Sequence, residues 1–560
     1  MTMTFTAPAP GAWELDQTHL TRALSVMMAE IFPDAMMRGF KDASKAYGLL
    51  LDHLEIAVIN RFGYMAPRPV GAPKNAKGTP PRLVFTLMQR LHPEMRRRIR
   101  RAEEVFRERA WRKDAEWWQR EVKPSIAAEA RTLLDDDVDA CSDEALAAHV
   151  RRAMDFAKQT TYWHHRFSIP FILPVGDLLV HTMQWTGLSA AEILQALRGV
   201  SPASEGAVEE MAAVRRAVLA DGEAMVALLS PRPAPDVLAA LLSRPAPVGP
   251  AVKAYLDVVG LRLVGGYDVA DRHASEHPEL LVKIIRGAVT ADEAGRKAAA
   301  EQAVQQVRAR VPEEHRAEFD DLLKEAQAVY GLRDERIFHG DGLGNGLMRR
   351  AILAAGRRLA TRGRINEPTD LVDATCDEIV AMLQGTGGPS AAELSERVRY
   401  RVETPISAAP ASLGFPPSAP PPAEWLPPAA ARMQRIVGLA LQLMFQPHEE
   451  QRESKALKGF GVSPGVYEGP ARVISSVYEL PEVQQGEVLV APSTGPTFNV
   501  VLPLIGALVT ERGGALSHAA IVAREYGLPG VVGCPRATQA IRTGMRVRVD
   551  GATGEVWTLE

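Results

Sequence analysis

Apolar residues make up 46% of the 560-residue chain and charged residues 24%, which are ordinary proportions for a globular protein long enough to form two or three domains. Its net charge of -3 provides no electrostatic reason to expect nucleic acid or a membrane as a partner. Three widely separated cysteines argue against a disulfide framework and a zinc site, so we expect no metal site. Because we find neither a signal peptide nor a run of about 18 apolar residues, we predict a cytoplasmic protein.

Residues 15–400 carry mainly helical patterns. Apolar residues recur at spacings of three and four, as in Leu24, Met27, Met28 and Ile31. Long stretches rich in Ala, Leu, Arg and Glu supply strong helix formers, and convincing strand patterns are scarce. We therefore predict a large, mainly α-helical substrate-binding domain of ten or more helices.

Residues 401–430 differ in composition. Nine prolines fall between positions 402 and 429, and such a segment favours extended polyproline II over helix. We predict a Pro-rich linker at 401–430, followed by a linker helix and hinge at 431–458. A helix is expected from Ala430 to Phe445.

From residue 459 onward, short β-branched runs alternate with Gly and Pro, which is typical of strands joined by tight turns. One helix is expected between Ser517 and Tyr526. The pattern predicts a small α/β domain (β/β/α) at 459–560. The fold class predicted for the whole chain is therefore multi-domain, with a large helical domain, a linker and this small C-terminal domain.

His518 is expected in the first turn of the helix that Ser517 caps. Unpaired N–H groups at that end favour a bound anion by about 0.3–1 kcal/mol, and the same field keeps the imidazole neutral and nucleophilic. Gly513 and Gly514 lack side chains, so a bulky phosphate donor can approach. This pattern predicts a histidine that carries a phosphoryl group, with a buried or capping histidine as the alternative.

Five short runs of the C-terminal domain follow one another in a set order: Gly461-Val462-Ser463-Pro464-Gly465, Gly469-Pro470-Ala471-Arg472-Val473, Leu508-Val509-Thr510-Glu511, Gly513-Gly514-Ala515-Leu516-Ser517-His518 and Gly527-Leu528-Pro529-Gly530-Val531-Val532-Gly533. As a set they closely resemble the swivelling phosphohistidine domain of the phosphoenolpyruvate-utilising enzymes. The resemblance covers about 459–560 and implies that His518 is the phosphorylated residue.

The resemblance also points to a phosphate-binding surface around His518. Thr494 lies in the run Thr494-Gly495-Pro496-Thr497, which matches a loop that faces the histidine in that domain. We predict Thr494 as a phosphate contact, with an ordinary turn as the alternative. The predicted phosphate-binding residues are Gly513, Gly514, Ser517 and Thr494.

The helical region carries a weaker resemblance. The runs Asn60-Arg61-Phe62-Gly63-Tyr64-Met65, Arg333-Asp334-Glu335-Arg336-Ile337-Phe338, Gly356-Arg357-Arg358-Leu359 and Gly363-Arg364-Ile365-Asn366-Glu367-Pro368-Thr369-Asp370-Leu371 are similar to the substrate-binding domain of rifampicin phosphotransferase. We recognise no ATP-grasp domain, the domain that charges the histidine in full-length members of the family. The domain order resembles the phenylphosphate synthase catalytic subunit, which a separate ATP-grasp subunit supplies with phosphate. The resemblance thus implies Mg-ATP bound by a partner ATP-grasp protein of the pyruvate phosphate dikinase N-terminal type, and no cofactor bound by this chain itself.

An acceptor hydroxyl needs a base for its proton and cations for the transferring phosphoryl group. Arg336, His339 and Asp341 cluster in the sequence, and we predict His339 as the base and Arg336 as a phosphate contact. A helix–helix joint is the alternative for this cluster.

Two further groups are candidates for the acceptor site. Arg262 and Asp268 flank a glycine pair and form a second candidate, with a structural role as the alternative. The run Trp163-His164-His165-Arg166 is a third, although packing suits it better because its adjacent histidines point to different sides of a helix.

These observations favour a phosphotransferase subunit. His518 would carry a phosphoryl group from the partner protein to a small-molecule hydroxyl or enol acceptor bound in the helical domain. A ligase-like synthase that consumes a transiently phosphorylated substrate is one alternative. A non-catalytic phosphohistidine regulatory protein is another.

Overall fold

The computed structural model describes residues 3–17, 20, 22–200, 208–290, 293–445, 456–495, 498–499 and 501–559. These residues form two compact units. Unit 1 consists of Met1–Leu173, Gly266–Asp271 and Arg336–Arg435, and unit 2 consists of Pro174–Gly265, Arg272–Glu335 and Ile436–Glu560. These units differ from the domain boundaries expected at 400, 430 and 458, because each unit joins segments that are far apart in sequence. Residues 446–455 of the expected hinge and Pro496-Thr497 of the expected loop lie outside the described residues.

Helices dominate both units. In chain order they are α1 Val26–Tyr47, α2 Arg82–Leu91, α3 Pro93–Glu108, α4 Ala110–Trp117, α5 Lys123–Asp135, α6 Asp143–Arg166, α7 Ser168–Thr186, α8 Ala190–Leu194, α9 Val208–Leu219, α10 Gly222–Leu229, α11 Ala234–Leu242, α12 Val248–Val259, α13 Pro278–Thr290, α14 Glu293–Arg310, α15 Arg316–Ile337, α16 Leu343–Thr361, α17 Cys376–Gln384, α18 Ala391–Glu403, α19 Pro428–Phe445, α20 His518–Tyr526 and α21 Ala537–Ala540. Among the described residues, none of these helices combines the length and the apolar character needed to cross a bilayer.

The described strands form two sheets. They are β1 Ala12–Leu15, β2 Leu51–Ile59, β3 Phe62–Pro69, β4 Ser412–Gly414, β5 Leu457–Lys458, β6 Phe460–Ser463, β7 Val466–Val473, β8 Val488–Ala491, β9 Ala507–Thr510, β10 Gly530–Val532, β11 Arg546–Asp550 and β12 Glu555–Leu559. Unit 1 holds the sheet of order β2-β3-β1-β4, and unit 2 holds the sheet of order β5-β12-β11-β7-β8-β9-β10-β6.

The first sheet was not predicted: residues 15–400 are mainly helical, as expected, but they also hold the strands β2 and β3. Strands β2 and β3 form an antiparallel hairpin whose turn residues, Asn60 and Arg61, have φ of 47° and 67°. Two consecutive residues with positive φ are typical of a type I′ turn, which matches the twist of paired strands. Phe62, Tyr64 and Ala66 alternate along β3 and are fully buried. This period of two marks a half-buried strand.

The Pro-rich segment belongs to unit 1 and packs within it, whereas an extended linker was expected at 401–430. Strand β4 pairs with β1 in the antiparallel sense. Further along, Ala423 and Leu426 belong to a buried cluster that includes Phe85 and Met95. Proline removes backbone donors but leaves carbonyl groups and apolar side chains, so this segment still forms an edge strand and buries its few large residues.

The carboxyl-terminal α/β domain, residues 456–559, positions one helix beside a parallel sheet. Strands β7, β8, β9 and β10 run parallel as neighbours, and helix α20 packs on β9, β10 and β6. The buried core of the domain contains Val488, Val490, Val509 and other β-branched residues that face one side of the sheet. The sheet of the α/β domain predicted from residue 459 is thus present, and loops at its carboxyl edge lead to Thr494 and His518.

Candidate functional site

Thr494 and His518 meet at the carboxyl edge of two neighbouring parallel strands. Strand β8 ends at Ala491 and β9 at Thr510, and these two residues are paired in the sheet. Since the carboxyl ends of parallel strands meet at one edge, the loops that follow them converge there. Oγ1 of Thr494 lies 3.0 Å from Nδ1 of His518. The structure therefore brings the two predicted residues together, while the role of Thr494 as a phosphate contact stays a prediction.

Helix α20 begins at His518. Ser517 has extended backbone angles and its hydroxyl accepts a hydrogen bond from the backbone N–H of Ala520, so Ser517 is the N-cap. At the other end Gly527, with φ of 66°, is the left-handed C-cap. His518 thus lies at the positive end of the helix dipole, where an anion is stabilised.

The glycine turn before the helix has no room for a side chain. Gly513 has φ of 112°, and a Cβ atom placed there would lie 2.7 Å from Oγ of Ser517. Gly514 accepts a hydrogen bond from the backbone N–H of Ser517 at 2.9 Å, which closes the turn. Only glycine at position 513 gives both the backbone conformation and the space that the Ser517 cap requires.

The electrostatic environment of His518 keeps its ring neutral. The residue is half-buried, and its Nε2 atom is buried without a hydrogen-bond partner among the described residues. Burial lowers the pKa of His518 to about 3, and the positive charges of Arg333 and then Arg262 act in the same direction. Desolvation is therefore a larger cause than the nearby charges. At pH 7 the imidazole is uncharged and one ring nitrogen holds a free electron pair.

The contact with Thr494 distinguishes the two ring nitrogens. When Nδ1 of His518 carries the proton, it donates to the Thr494 hydroxyl and the free electron pair is on Nε2. The charges of two cationic groups, Arg333 and Arg262, also act on this ring. This arrangement is suited to a nucleophilic nitrogen that attacks an electrophile bearing negative charge.

Arg262 was expected near the acceptor, and the structure places it close enough to influence His518. Arg333 has the stronger influence but was not predicted as a site residue. The available signal was its position at the start of the run Arg333-Asp334-Glu335-Arg336-Ile337-Phe338, which carries the family resemblance. Both arginines belong to the helical part of unit 2, residues 174–265 and 272–335.

The predicted cluster of Arg336, His339 and Asp341 lies in unit 1 and is organised differently from the expectation. Oδ2 of Asp341 is 2.9 Å from Nδ1 of His164 on α6. Nη1 of Arg336 donates to the backbone carbonyl of His164. The ring of His339 instead packs edge-on against Phe338, with 4.8 Å between ring centroids. Within unit 1, the buried carboxylate therefore pairs with His164, a histidine for which packing was expected.

Asp268 also belongs to unit 1, whereas Arg262 belongs to unit 2. The Asp268 carboxylate accepts hydrogen bonds from the backbone N–H of Ser25 at 2.8 Å and of Ala270 at 2.9 Å. Since both oxygens are bound by amides at the start of α1 and in its own turn, Asp268 has a structural role here. These contacts fit the structural alternative for Asp268, and its role as a site residue stays a prediction.

Two family models match this chain in the regions that surround His518. The model described as "PEP-utilising enzyme, mobile domain" matches residues 483–554, and "Rifampicin phosphotransferase fourth domain" matches residues 175–334. These matches identify in this chain a mobile domain of the phosphoenolpyruvate-utilising enzymes and a region similar to the fourth domain of rifampicin phosphotransferase. His518 lies in the mobile domain, and the two arginines that influence it lie in the fourth-domain match.

Three curated relatives are similar to parts of this chain. The chain is 31% identical over 242 residues to "Uncharacterized phosphotransferase YvkC" of Bacillus subtilis, which is 43% of this chain and 27% of the relative. It is 31% identical over 319 residues to the rifampicin phosphotransferase of Streptomyces sviceus, which is 55% of this chain and 34% of the relative. It is 44% identical over 109 residues to the phosphoenolpyruvate synthase of Aquifex aeolicus, which is 20% of this chain and 13% of the relative. The matches thus span about a third or less of the length of these relatives.

Proposed function

We propose that this chain is a phosphotransferase subunit in which His518 carries a phosphoryl group to a hydroxyl or enol acceptor. The observation that carries the proposal is the state of the His518 ring. Thr494 contacts Nδ1, whereas Nε2 has no hydrogen-bond partner among the described residues, and the charges of two arginines act on the ring. The relatives named rifampicin phosphotransferase and phosphoenolpyruvate synthase support phosphoryl transfer.

In the first half-reaction, Nε2 attacks a phosphoryl group of ATP that a partner protein holds with Mg²⁺. The Nε2–P bond forms, the P–O bond to the rest of the nucleotide breaks, and the nucleotide leaves with the bonding electrons. Nδ1 keeps its proton, which Thr494 accepts as a hydrogen bond. The helix N-terminus stabilises the new anion by about 0.3–1 kcal/mol when exposed, and by more when partly buried.

In the second half-reaction, the acceptor oxygen attacks phosphorus, the P–N bond breaks, and its electron pair returns to Nε2. The acceptor proton passes to a base. Arg262 and Arg333 are suited to hold the three oxygens of the transferring group, because guanidinium groups stabilise the charge spread over them. Splitting the transfer at a histidine separates the nucleotide step from the acceptor step.

The proposed donor and acceptor rest on observations other than the geometry of His518. The partner ATP-grasp protein rests on the resemblance in domain order to the phenylphosphate synthase catalytic subunit. For the acceptor, Arg336, His339 and Asp341 remain candidates, and the contact of Asp341 with His164 adds that histidine as a second candidate base. A small molecule with a hydroxyl or enol group is the proposed substrate class.

The experiment that tests the proposal separates the two half-reactions. The chain is mixed with the ATP-grasp protein and ATP labelled at each phosphate in turn, without acceptor. We expect acid-labile label on the chain that His518→Ala abolishes and that His339→Ala leaves intact. Label that persists at the same level in His518→Ala would contradict the proposal. Adding candidate hydroxyl compounds then tests whether the label moves to a stable phosphorylated product, which distinguishes transfer from a ligase-like reaction.

A further inference from the structure

Helix α2 of unit 1 exposes an apolar stripe. Leu83, Leu87 and Leu91 recur at every fourth residue and Val84 lies beside them, so the four side chains share one side of the helix. They are 86%, 56%, 67% and 48% exposed, in that order. An exposed patch of contiguous apolar side chains, on the order of a few hundred Å², is typical of an interaction surface.

The opposite side of α2 is the one that packs on the protein. Phe85 is 5% exposed and belongs to the buried cluster that includes Met95. Nε2 of Gln89, which is also buried, donates to the backbone carbonyl of Trp425 at 2.9 Å. The buried side thus includes an amide, whereas the outward side is formed by four aliphatic side chains. Because the core of unit 1 does not use the stripe, its apolar character points to a partner outside this unit.

The surroundings of the stripe are cationic. Residues 56–93 include six Lys and Arg but neither Asp nor Glu. Arg82 and Arg90 on α2 are exposed, and Lys74 and Lys77 lie in the exposed loop that precedes the helix. The net charge of -3 for the whole chain gave no reason to expect a membrane, but it averages over this cationic stretch.

Carboxylates on neighbouring elements do not cancel this charge. Glu55 on β3's partner strand pairs with Lys74 at 3.1 Å, and Glu94 on α3 pairs with Arg98 at 2.7 Å. Glu424, which precedes Trp425 in the chain, is exposed. The surface around the stripe therefore keeps a net positive charge.

The chemistry of the stripe determines which partner fits it. A second copy of this chain would bring two cationic surfaces together, and the stripe is smaller than the roughly 1,000 Å² that a stable protein interface buries. Hot spots between proteins are enriched in Trp, Tyr and Arg, whereas Leu and Val are under-represented there. A lipid bilayer accepts aliphatic side chains of any shape, and anionic headgroups complement Lys and Arg. Composition and charge therefore favour an anionic lipid surface.

We propose that α2 binds the surface of an anionic lipid bilayer. Its four aliphatic side chains enter the boundary between headgroups and acyl chains, and Arg82 and Arg90 bind lipid phosphates. The helix lies in the plane of the surface, so the contact is peripheral and reversible. This inference does not depend on phosphoryl transfer by His518, because every residue that carries it belongs to unit 1.

The test measures sedimentation of the full chain with vesicles. Phosphatidylcholine vesicles with about 30% phosphatidylglycerol are compared with phosphatidylcholine alone, at about 0.1 M salt. We expect the partition constant to be at least about tenfold larger for the anionic vesicles, and to fall toward that for phosphatidylcholine at about 1 M salt. Absence of binding to the anionic vesicles overturns the proposal.

Substitutions on the stripe test its part in binding. Leu83→Ser combined with Leu87→Ser is expected to lower the partition constant about a hundredfold, since each leucine withdrawn from lipid costs about tenfold. Leu219→Ser combined with Leu229→Ser is the matched control, because these leucines of unit 2 are 52% and 57% exposed, and unchanged binding is expected. Equal binding of the two double variants overturns the proposal.

The cationic residues provide a second comparison, which remains valid if the leucine variant does not fold. Arg82→Gln combined with Arg90→Gln is expected to weaken binding to anionic vesicles by about fivefold for each arginine and to leave binding to phosphatidylcholine unchanged. A full preference for anionic vesicles in this variant overturns the proposal. Sedimentation velocity without lipid tests the other occupant. A dimer that the leucine substitutions dissociate, without vesicle binding, assigns the stripe to a second copy and also overturns it.

Discussion

Oγ1 of Thr494 lies 3.0 Å from Nδ1 of His518, although the two residues are 24 positions apart in the chain. The contact arises because each follows the carboxyl end of one of two neighbouring parallel strands, β8 and β9. When Nδ1 holds the proton and donates to the Thr494 hydroxyl, Nε2 is left as the nucleophile. In the proposed function, Thr494 is therefore a positioning residue for the reactive tautomer.

Replacing Thr494 by Val is expected to slow phosphorylation of His518 by roughly three- to tenfold, the effect of losing one hydrogen bond of about 1 kcal/mol. The substitution keeps the shape of the side chain but removes the hydroxyl, so the ring populates both tautomers. Single-turnover labelling by the donor protein measures the rate. Thr494→Ser restores the hydroxyl and is expected to recover most of it. Equal rates in Val and Ser variants would remove Thr494 from the site.

Gly513→Ala is expected to destabilise the start of α20. Its φ of 112° disfavours alanine, and the added methyl group would lie 2.7 Å from Oγ of Ser517, the cap of the helix. Gly544→Ala is the matched control, because Gly544 has φ of 90° and nothing within 4 Å of a Cβ atom. Both variants lose about 1 kcal/mol to the backbone conformation, and Gly513→Ala loses about 1–3 kcal/mol more to the clash. Exchange protection of the α20 amides measures the difference, and equal losses would show that the turn has room.

The position of His518 could be predicted because its signals are local. Ser517 before the helix, Gly527 after it and the glycine turn are all read within fifteen residues, and each has a direct physical cause. The strands at this site could also be predicted, because short β-branched runs between glycines and prolines indicate strands. Domain type and the central histidine therefore follow from short-range patterns.

The features that the sequence did not reveal depend on long-range contacts. The hairpin at Asn60-Arg61 lacks the glycine that usually marks a type I′ turn, so its strands were missed. The Pro-rich segment was taken for a linker because composition does not show that Leu426 packs beside Phe85. Likewise, the approach of Arg333 to His518 joins residues 185 positions apart, and no pattern within either segment indicates it.

Residues 477–483 of the carboxyl-terminal domain, here called the docking loop, contact Lys283 of the helical part of unit 2, and we call this contact docking. Lys283→Met is expected to loosen the docking loop. The ammonium group donates to three backbone carbonyls there, and burial lowers its pKa while the nearby Glu487 opposes that shift. Methionine keeps the apolar stem but leaves the carbonyls without their donor, so we expect about tenfold faster exchange in the docking loop. Lys253→Met removes an exposed lysine paired only with Asp257 in the contacts observed and is expected to change exchange little. Equal effects of the two substitutions would argue against a docking role for Lys283.

Docking of the unphosphorylated domain is expected to weaken in acid. In the docked form, burial lowers the pKa of His518 to about 3, and the charges of Arg333 and Arg262 act in the same direction. A solvent-exposed imidazole has its ordinary pKa of 6.5. Below that value the undocked form binds a proton that the docked form excludes, so lowering the pH favours undocking. Above about pH 7 neither form is protonated and the equilibrium is flat. Between pH 7.5 and 5.5 the ratio of docked to undocked form is expected to fall about tenfold.

His277 contributes in the same direction, because burial and then the charge of Arg272 lower its pKa where it contacts Tyr478. The two histidines are separated by substitution. His518→Gln is expected to remove the tenfold pH dependence and leave the weaker pH dependence that His277 causes. His277→Gln is expected to remove that weaker dependence and leave the tenfold one. Exchange of the docking loop, corrected for the intrinsic pH dependence of amide exchange, measures each. If His518→Gln keeps the full pH dependence of the unsubstituted chain, Nε2 of His518 is solvated in the docked form, which contradicts its burial in the structure.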